Sequence, residues 1–541
     1  MVTTAELNRR GLRYAVVVDG AATPASLQAL DRQGLPYLVE VADGATMASR
    51  RALEGRGLRY LVPVLVDATP ASKASLAAQG LRYAVQVDAD ILPADRLVLQ
   101  RQGLACYVEV DSSGNSVSAA AVGGAALLTG EANGFAADFT HPVDAERVAV
   151  KTAGTVVSSG TSFFTSSGTS SKWVYDVNGT LVNIPVGTLP LDYDPVTHAA
   201  LGLKCEPAAT NLYLQAQTQD NATWVKSAGT VSANAIAAPD GTTTADGYVP
   251  NSGTVDSHLS QSSLPLSVGQ PYTLSFYIKN GTLGNNWLQL LINQSSSIST
   301  YFNLSTGAIG TSTGTTTTRT ITAVGNGWFK IIVTYTASDA TFSTYWVARG
   351  SDGGSTVSGN GTAPAYYLWG AQLEAGTVAT SYIPTLAATV TRAVDNYFST
   401  PTAIGYSATA GSWWVEHYSV VGPTVGALVG STSLSNALAL FYGDVHYYGM
   451  FDTTALYKTV GAPNVVGNIN RVACAFQTGD RVITARGMAP DVDAGTVTTM
   501  LAPVQVMFGN AAGGSPMAGW IRKLRYLPRR PSNAELTAMT T

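Results

Sequence analysis

Two rhythms of apolar residues run along this chain, one after the other. Over the first 113 residues the pattern recurs every 23 positions. Gly11, Gly34, Gly57, Gly80 and Gly103 keep step with Leu12, Leu35, Leu58, Leu81 and Leu104. Tyr14, Tyr37, Tyr60 and Tyr83 follow, and the fifth copy slips by one residue to Tyr107. The stretch TPASLQALDRQGLPYLVEV (23–41) shows what one unit encodes. Thr23 can cap a helix whose first position, Pro24, loses nothing by lacking an N–H. Leu27 and Leu30 share a face, and Gly34 supplies the left-handed residue that ends the helix. Leu35, Tyr37, Val39 and Val41 then alternate along a strand. The repeat predicts a short helix, a glycine stop and a strand, five times over, with the strands parallel if the units stack in one sheet.

From about residue 130 the period becomes two. YTLSFYIKNG (272–281), WLQLLINQ (287–294) and GWFKIIVTYT (327–336) alternate as half-buried strands between turns rich in Ser, Thr, Asn and Gly. KWVYDVNGTLVNIPVG (172–187) predicts a hairpin, with Asn178-Gly179 suited to a tight primed turn. Alternation continues through GSWWVEHYSVVG (411–422), ALALFYGDVHYYGMFD (437–452) and NRVACAFQTGDRVITARGM (470–488). After a last strand holding Ile521, Leu524 and Tyr526, Ser532 and Glu535 form a capping box that opens a short helix. The fold class expected is therefore multidomain: N-terminal α/β repeats of 23-residue period followed by all-β sandwiches. The boundaries read 1–113 for the repeats, 114–133 for a Gly/Ala-rich hinge, 134–205 for a β-rich connecting region, 206–395 for a first sandwich and 396–541 for a second.

Composition sharpens this. Only 12% of the 541 residues are charged, about half the usual share, so Ser, Thr, Asn, Gln and Gly must cover the surface. A net charge of −4 argues against a non-specific nucleic-acid binder. Cys106, Cys205 and Cys474 are too far apart for a disulfide framework or a metal-ligand spacing. MVTTAELNRR carries no secretory signal pattern. The longest apolar stretch, AAAVGGAALL (119–128), is far short of a membrane span and reads as a hinge. Assembly in a cytoplasm is expected, without membrane insertion.

Several separated motifs then occur in a fixed order: LDYDPVTHAALGLKCEPAATNLYLQ (191–215), TWVKSAGTVSANAIAAPDGTTTAD (223–246), VGNGWFK (324–330), LWGAQLEAGTVATSYIPT (368–385) and TRAVD (391–395). In these the chain resembles the modular fibre and appendage proteins of tailed bacteriophages and prophages. The part from TNLYLQ to SYIPT is similar to their carbohydrate-binding jelly-roll modules. The closing strand and tail resemble a laminin-G or concanavalin-like sandwich. Lys204-Cys205 and Ala209 depart from the family pattern. The resemblance implies a tail or head fibre or spike, located in the virion. It implies attachment to other virion proteins through residues 1–113, a homotrimer, and host cell-surface polysaccharide as the partner of the sandwiches. Two rivals stay open: a purely structural virion decoration, and a polysaccharide depolymerase.

Sugar recognition needs flat rings for stacking and amide or carboxylate groups for hydroxyls. Trp328 and Trp369 read as core, the latter because Tyr367 and Trp369 on one side of their strand face Tyr366, Leu368 and Gly370 on the other. Trp287, after GTLGNN, and Trp346, in STYWVARG, read as exposed. With Tyr301, and with Tyr447 and Tyr448 beside His446, they are the carbohydrate-binding candidates. Of the adjacent pair Trp413-Trp414, one ring must go to each face of its strand. The run Arg522, Lys523, Arg525, Arg529, Arg530 reads as a solvated edge and tail, with phosphate or an acidic sugar as the alternative. No catalytic residue is expected. His141, His198, His258, His417 and His446 have no metal-type spacing, and Asp192 and Asp194 read as an Asp-Pro turn before they read as a hydrolase pair. No cofactor is expected; a structural calcium is compatible with either sandwich, but no loop places it.

Overall fold

The computed structural model describes five short stretches within the first 113 residues (14–17, 36–40, 60–63, 83–86, 106–109). It then describes 123–142, 144–420, 425–431, 439–443, 447–451, 456–460, 465–493, 504–511 and 516–541. Strand dominates them. They fall into two compact units, the first comprising residues 1–163, 402–406 and 522–528, the second the remainder.

In the first unit, Tyr14–Val17, Tyr37–Glu40, Tyr60–Pro63, Tyr83–Gln86 and Cys106–Glu109 are strands. Each pairs in parallel with the next, and Tyr14 pairs with Val108. The helices expected between them lie outside the described residues. Further on, Gly134–Asp138, Val148–Thr152 and Thr155–Ser159 form an antiparallel meander, extended by residues 523–526. The stretch read as a hinge is, from Gly123 onward, a packed turn of helix, Gly123–Ala126. Gly124 explains why: a Cβ there would lie 2.7 Å from the Arg147 carbonyl and 2.8 Å from the Ala149 nitrogen. Small residues here serve close packing rather than flexibility.

In the second unit, two six-stranded antiparallel sheets face each other. The front sheet runs Val225–Ser227, Ser257–Pro265, Thr341–Arg349, Trp287–Asn293, Ile298–Asn303, Ala308–Thr313. The back sheet runs Gly229–Ala237, Thr243–Pro250, Tyr366–Ala375, Pro271–Asn280, Trp328–Thr336, Thr318–Ala323. The two ends of the module zip together, Ala209–Asn211 against Val390–Arg392. Period-two alternation does what it should: Leu288, Leu290 and Ile292 meet Leu274, Phe276 and Ile278 in one core. Trp346 is part of it. Its ring is fully buried and packs on Tyr213, Trp224 and Phe276 at centroid distances of 5.6, 5.1 and 5.6 Å. The exposure expected for Trp346 is therefore corrected: it faces inward.

Part of the outer face of the back sheet is buried too. Trp369 lies under the hairpin Lys172–Tyr175/Leu181–Ile184 and the segment that follows its own strand. Trp173 meets it at 6.2 Å and Tyr382 at 4.6 Å. Gly370, at φ +64, bulges the strand so that Ala371 and Leu373 rejoin the core side. Core burial of Trp369 and Trp328 agrees with the sequence reading. Glu374, near the end of this strand, accepts from the Thr380 amide at 3.0 Å and from the Thr380 hydroxyl as well. Burial pushes its carboxyl up.

The hairpin is where the sequence predicts it, but its turn differs. Tyr175 pairs with Leu181, leaving five residues between. Gly179 alone has positive φ, and the Asp176 carboxylate accepts from the Asn178 and Thr180 amides. That is a three-to-five-residue loop with a glycine bulge, not a two-residue primed turn.

Beneath the hairpin lies a buried ionic cluster. Lys172 bridges Asp395 and Glu206, Arg392 reaches both, and Lys204 spans Glu206 and Asp192. Burial alone would raise the Glu206 carboxyl; Lys172, Lys204 and Arg392 outweigh it and hold the group well below the usual carboxylate range. Asp192 also accepts from the Tyr175 amide and the Trp520 indole. Asp194, by contrast, caps its own turn by accepting from the Val196 and Thr197 amides. The two aspartates thus do separate structural work.

The rest of this unit holds two further antiparallel sheets. One contains Ala410–Ser419, Ile469–Gln477, Asp480–Ala485 and Asp491–Asp493. The other includes Thr165–Ser166, Tyr397–Ser399, Val506–Phe508 and Val425–Ser431 and continues through Ala439–Gly443, Tyr447–Phe451 and Leu456–Val460. Leu203, Lys204 and Cys205 pair with Ile521, Trp520 and Gly519. Trp413 and Trp414 are both buried, the second donating its indole N–H to the Met539 carbonyl of helix Asn533–Thr540. Ser532 caps that helix, accepting from the Glu535 amide at 3.2 Å.

Candidate functional site

With Leu288, Leu290 and Ile292 committed inward, the alternate residues of the front sheet must face out. Register lays them in rows. Trp287 stands between Asn303 and Arg349; Gln289 between Tyr301 and Val347; Leu291 between Ser299 and Tyr345. His258 extends the second row beyond Val347. Among the described residues no hairpin covers this face, unlike the back sheet's outer face, and Trp287, Gln289, Leu291, Tyr345 and His258 stay half-buried.

Trp287 is seated by a glycine. A Cβ at Gly310 would come within 2.7 Å of the indole ring and 2.4 Å of the Asp352 carboxylate. The ring therefore lies close against the bare backbone of the neighbouring edge strand, which fixes its plane while leaving part of it open. Beside it, Arg349 is held rigidly. Its Nε donates to Gln289 Oε1 at 2.8 Å, and its Nη1 to Asp256 Oδ1 at 2.6 Å and to the Ser355 carbonyl. Gln289 in turn donates to Ser299 Oγ at 2.8 Å. Asn285 ties the backbone carbonyls of Trp287 and Arg349 together, donating to both at 3.1 Å.

The loop of residues 350–356 forms one rim. Asp352 Oδ1 accepts from the Thr311 amide, and the Tyr301 hydroxyl donates to the Gly354 carbonyl at 2.8 Å. Tyr301 therefore lies on the expected face but is buried under this rim and supports the site from below. His258 packs edge-on against Tyr345 at 5.1 Å. Burial lowers its pKa, with Asp256 pulling the other way and Arg349 adding to the lowering.

Of the residues singled out from sequence, Trp287 and Tyr301 come together here, Trp346 lies in the core behind them, and the side chains of Tyr447 and Tyr448 lie outside the described residues. Arg349, Gln289, Asp256, His258 and Tyr345 were not foreseen. One signal for them was present: once Trp346 in STYWVARG is inward, Tyr345 and Arg349 must be outward. The basic run near the C-terminus is spent internally, with Lys523 on Asp138, Arg529 on Glu535 and Arg530 on Asp480. No group of three or more metal-ligating side chains is placed together among the described residues.

An aromatic plane flanked by a fixed guanidinium, two amides and hydroxyl-bearing side chains can hold a polyhydroxylated ring by stacking and hydrogen bonds. No family model matches the chain, and no curated protein matches it. Among solved structures it has a slight likeness to the CBM40 module of a Ruminococcus gnavus IT-sialidase bound to alpha2,3 sialyllactose. The identity is 16%, over 25% of this chain and 84% of that one, with a TM-score of 0.23. A leech intramolecular trans-sialidase (15% identity, 25% of this chain, 23% of that one, TM-score 0.20) is similar to the same slight degree. So is the binding domain of botulinum neurotoxin DC (10% identity, 27% and 40%, TM-score 0.21). A likeness of that size carries no weight for fold or ligand.

Proposed function

We propose that the chain is a non-catalytic glycan-binding protein that holds saccharide on the outer face of its front sheet. The observation that carries this is Trp287: a half-open indole seated on Gly310, in register with Arg349 and next to Gln289. Stacking on the ring would supply apolar contact, and Arg349, Gln289 and Asn303 would meet hydroxyls. Recognition is reversible, with no bond made or broken.

On the ordered motifs described above, we further place the protein in a bacteriophage virion, as a tail or head appendage. Residues 1–113 would attach it to other virion proteins and the sandwiches would reach host-surface polysaccharide. Three copies in a homotrimer would raise weak single-site affinity by avidity, by about 10²–10⁴-fold where geometry lets the sites engage together. A glycan array probed with the full chain, in parallel with Trp287→Ala, tests the binding reading. The expected result is a defined set of bound glycans that Trp287→Ala loses. Binding that survives the substitution places the site elsewhere, and release of reducing ends from a bound polysaccharide would replace adhesion with hydrolysis.

A further inference from the structure

A second recess opens on the opposite side of the same sandwich, bordering the buried ionic cluster of Lys204, Glu206 and Asp192. The hairpin covers only part of the back sheet's outer face. At the Thr318–Ala323 edge a cavity of about 400 Å³ remains, walled on its far side by Trp520. Its volume is in the range of small-ligand sites. Thr318, Thr320 and Thr322 alternate along one side of the edge strand, so their hydroxyls form a comb. Across the ladder they face Thr334, Ile332 and Lys330.

The polar groups of this recess divide into spent and unspent. Asp192 is spent: its Oδ1 accepts from the Tyr175 amide, and its Oδ2 from Lys204 Nζ and Trp520 Nε1, each of the latter at 3.0 Å. Glu206 is spent on Lys172, Lys204, Arg392 and the Ser381 amide. Lys204 is thereby neutralised, and its ammonium lies 5.4 Å over the Trp520 ring. Those contacts hold Trp520 in place from the protein side. Lys330 is different. Its ammonium lies 5.5 Å over the Tyr277 ring and has no carboxylate partner among the described residues. The comb hydroxyls of Thr318, Thr320 and Thr322 are likewise not engaged by protein side chains there.

We propose that this recess is a second saccharide site, selective for a sugar ring bearing a carboxylate. Lys330 receives the carboxylate, the threonine comb receives ring hydroxyls, and Trp520 closes the far wall. The charge balance argues for the acid: the unspent groups comprise one cation and neutral hydroxyls, with no free anion to repel it. The cavity has room for one or two sugar rings. The site does not depend on Trp287, which lies on the other sheet.

Nine tryptophans make fluorine NMR of the 5-fluorotryptophan-labelled full chain practicable. Trp520→Phe identifies the Trp520 resonance. The probes are methyl glucuronide and methyl galacturonide against methyl glucoside and methyl galactoside. The Trp520 resonance is expected to move with the uronides at millimolar concentration, with the neutral glycosides about tenfold weaker, as one charge-assisted hydrogen bond predicts. Lys330→Gln should erase that preference, and Thr320→Val should weaken all four probes. Trp287→Ala should leave the response unchanged, so that failure of the front-sheet site and failure of this one are separate results. A Trp520 resonance unmoved by every probe overturns the proposal, and so does a uronide preference that survives Lys330→Gln.

Discussion

Trp287 and Trp369 occupy equivalent positions: each points outward from a sheet of the same sandwich. Trp369 has no exposed surface, whereas Trp287 is half open. Their strands do not make the difference. The back sheet has a lid, the hairpin carrying Trp173 and the segment carrying Tyr382, fastened by the Lys172–Glu206–Arg392–Asp395 cluster. Among the described residues the front sheet has a rim and no lid, with the Gly354 and Ser355 carbonyls accepting from Tyr301 and Arg349. Outward aromatic residues become core where distant chain covers them and become a surface where it does not.

The comparison breaks most visibly in stability. Trp369→Ala should cost about 3–5 kcal/mol, the range for truncating a buried aromatic, measured by denaturant unfolding. Cutting the fastening should come close behind. Glu206→Gln removes the anion that three cations share and should cost about 3 kcal/mol. It should also expose the Trp173 indole to solvent quenchers. An intact lid after that substitution would mean that apolar packing alone holds it.

Histidines carry the comparison into pH. His258, on the open face, is lowered by burial against the pull of Asp256, whereas burial unopposed pushes His417 down to about 3. Below the unfolded value of 6.5, the unfolded chain takes up a proton that folded His417 refuses, so stability falls as pH drops. The loss attributable to His417 is about 2 kcal/mol between pH 7 and 5. His417→Gln should flatten the stability profile by that amount relative to wild type, a difference in which Glu374 and the other carboxylates cancel. Equal slopes in the two proteins would show that His417 is not buried as described.

Much of this was legible in the sequence and some was not, for identifiable reasons. Trp369 could be read as core because both sides of its strand are apolar, whichever side faces in. The Ser532 cap and the Asp194 turn could be read because both are local, made within three residues. Trp346 could not. Tyr345 and Val347 are as apolar as their neighbour, so alternation left two phases open. The phase is set by Tyr213 and Trp224, far earlier in the chain. Arg349 was invisible for a similar reason, since its partners Asp256 and Gln289 are remote in sequence. Gly123–Ala126, within the stretch read as a hinge, are packed helix because Gly and Ala signal close packing as readily as freedom, and only the Arg147 and Ala149 backbone decides which.

The smallest stability effect belongs to the open face. Trp287→Ala should change unfolding free energy by no more than about 1 kcal/mol, near the surface range. Gly310→Ala should leave the fold intact but displace the indole from its seat, lowering glycan affinity without removing a contact group.

The central claim, that an uncovered aromatic face binds saccharide, is tested most directly by a glycan array run on wild type, Trp287→Ala and Gly310→Ala at matched folding. The account predicts a common set of glycans bound by wild type, weakened by Gly310→Ala and lost with Trp287→Ala. Identical binding by all three proteins, or no glycan bound by any, would contradict it.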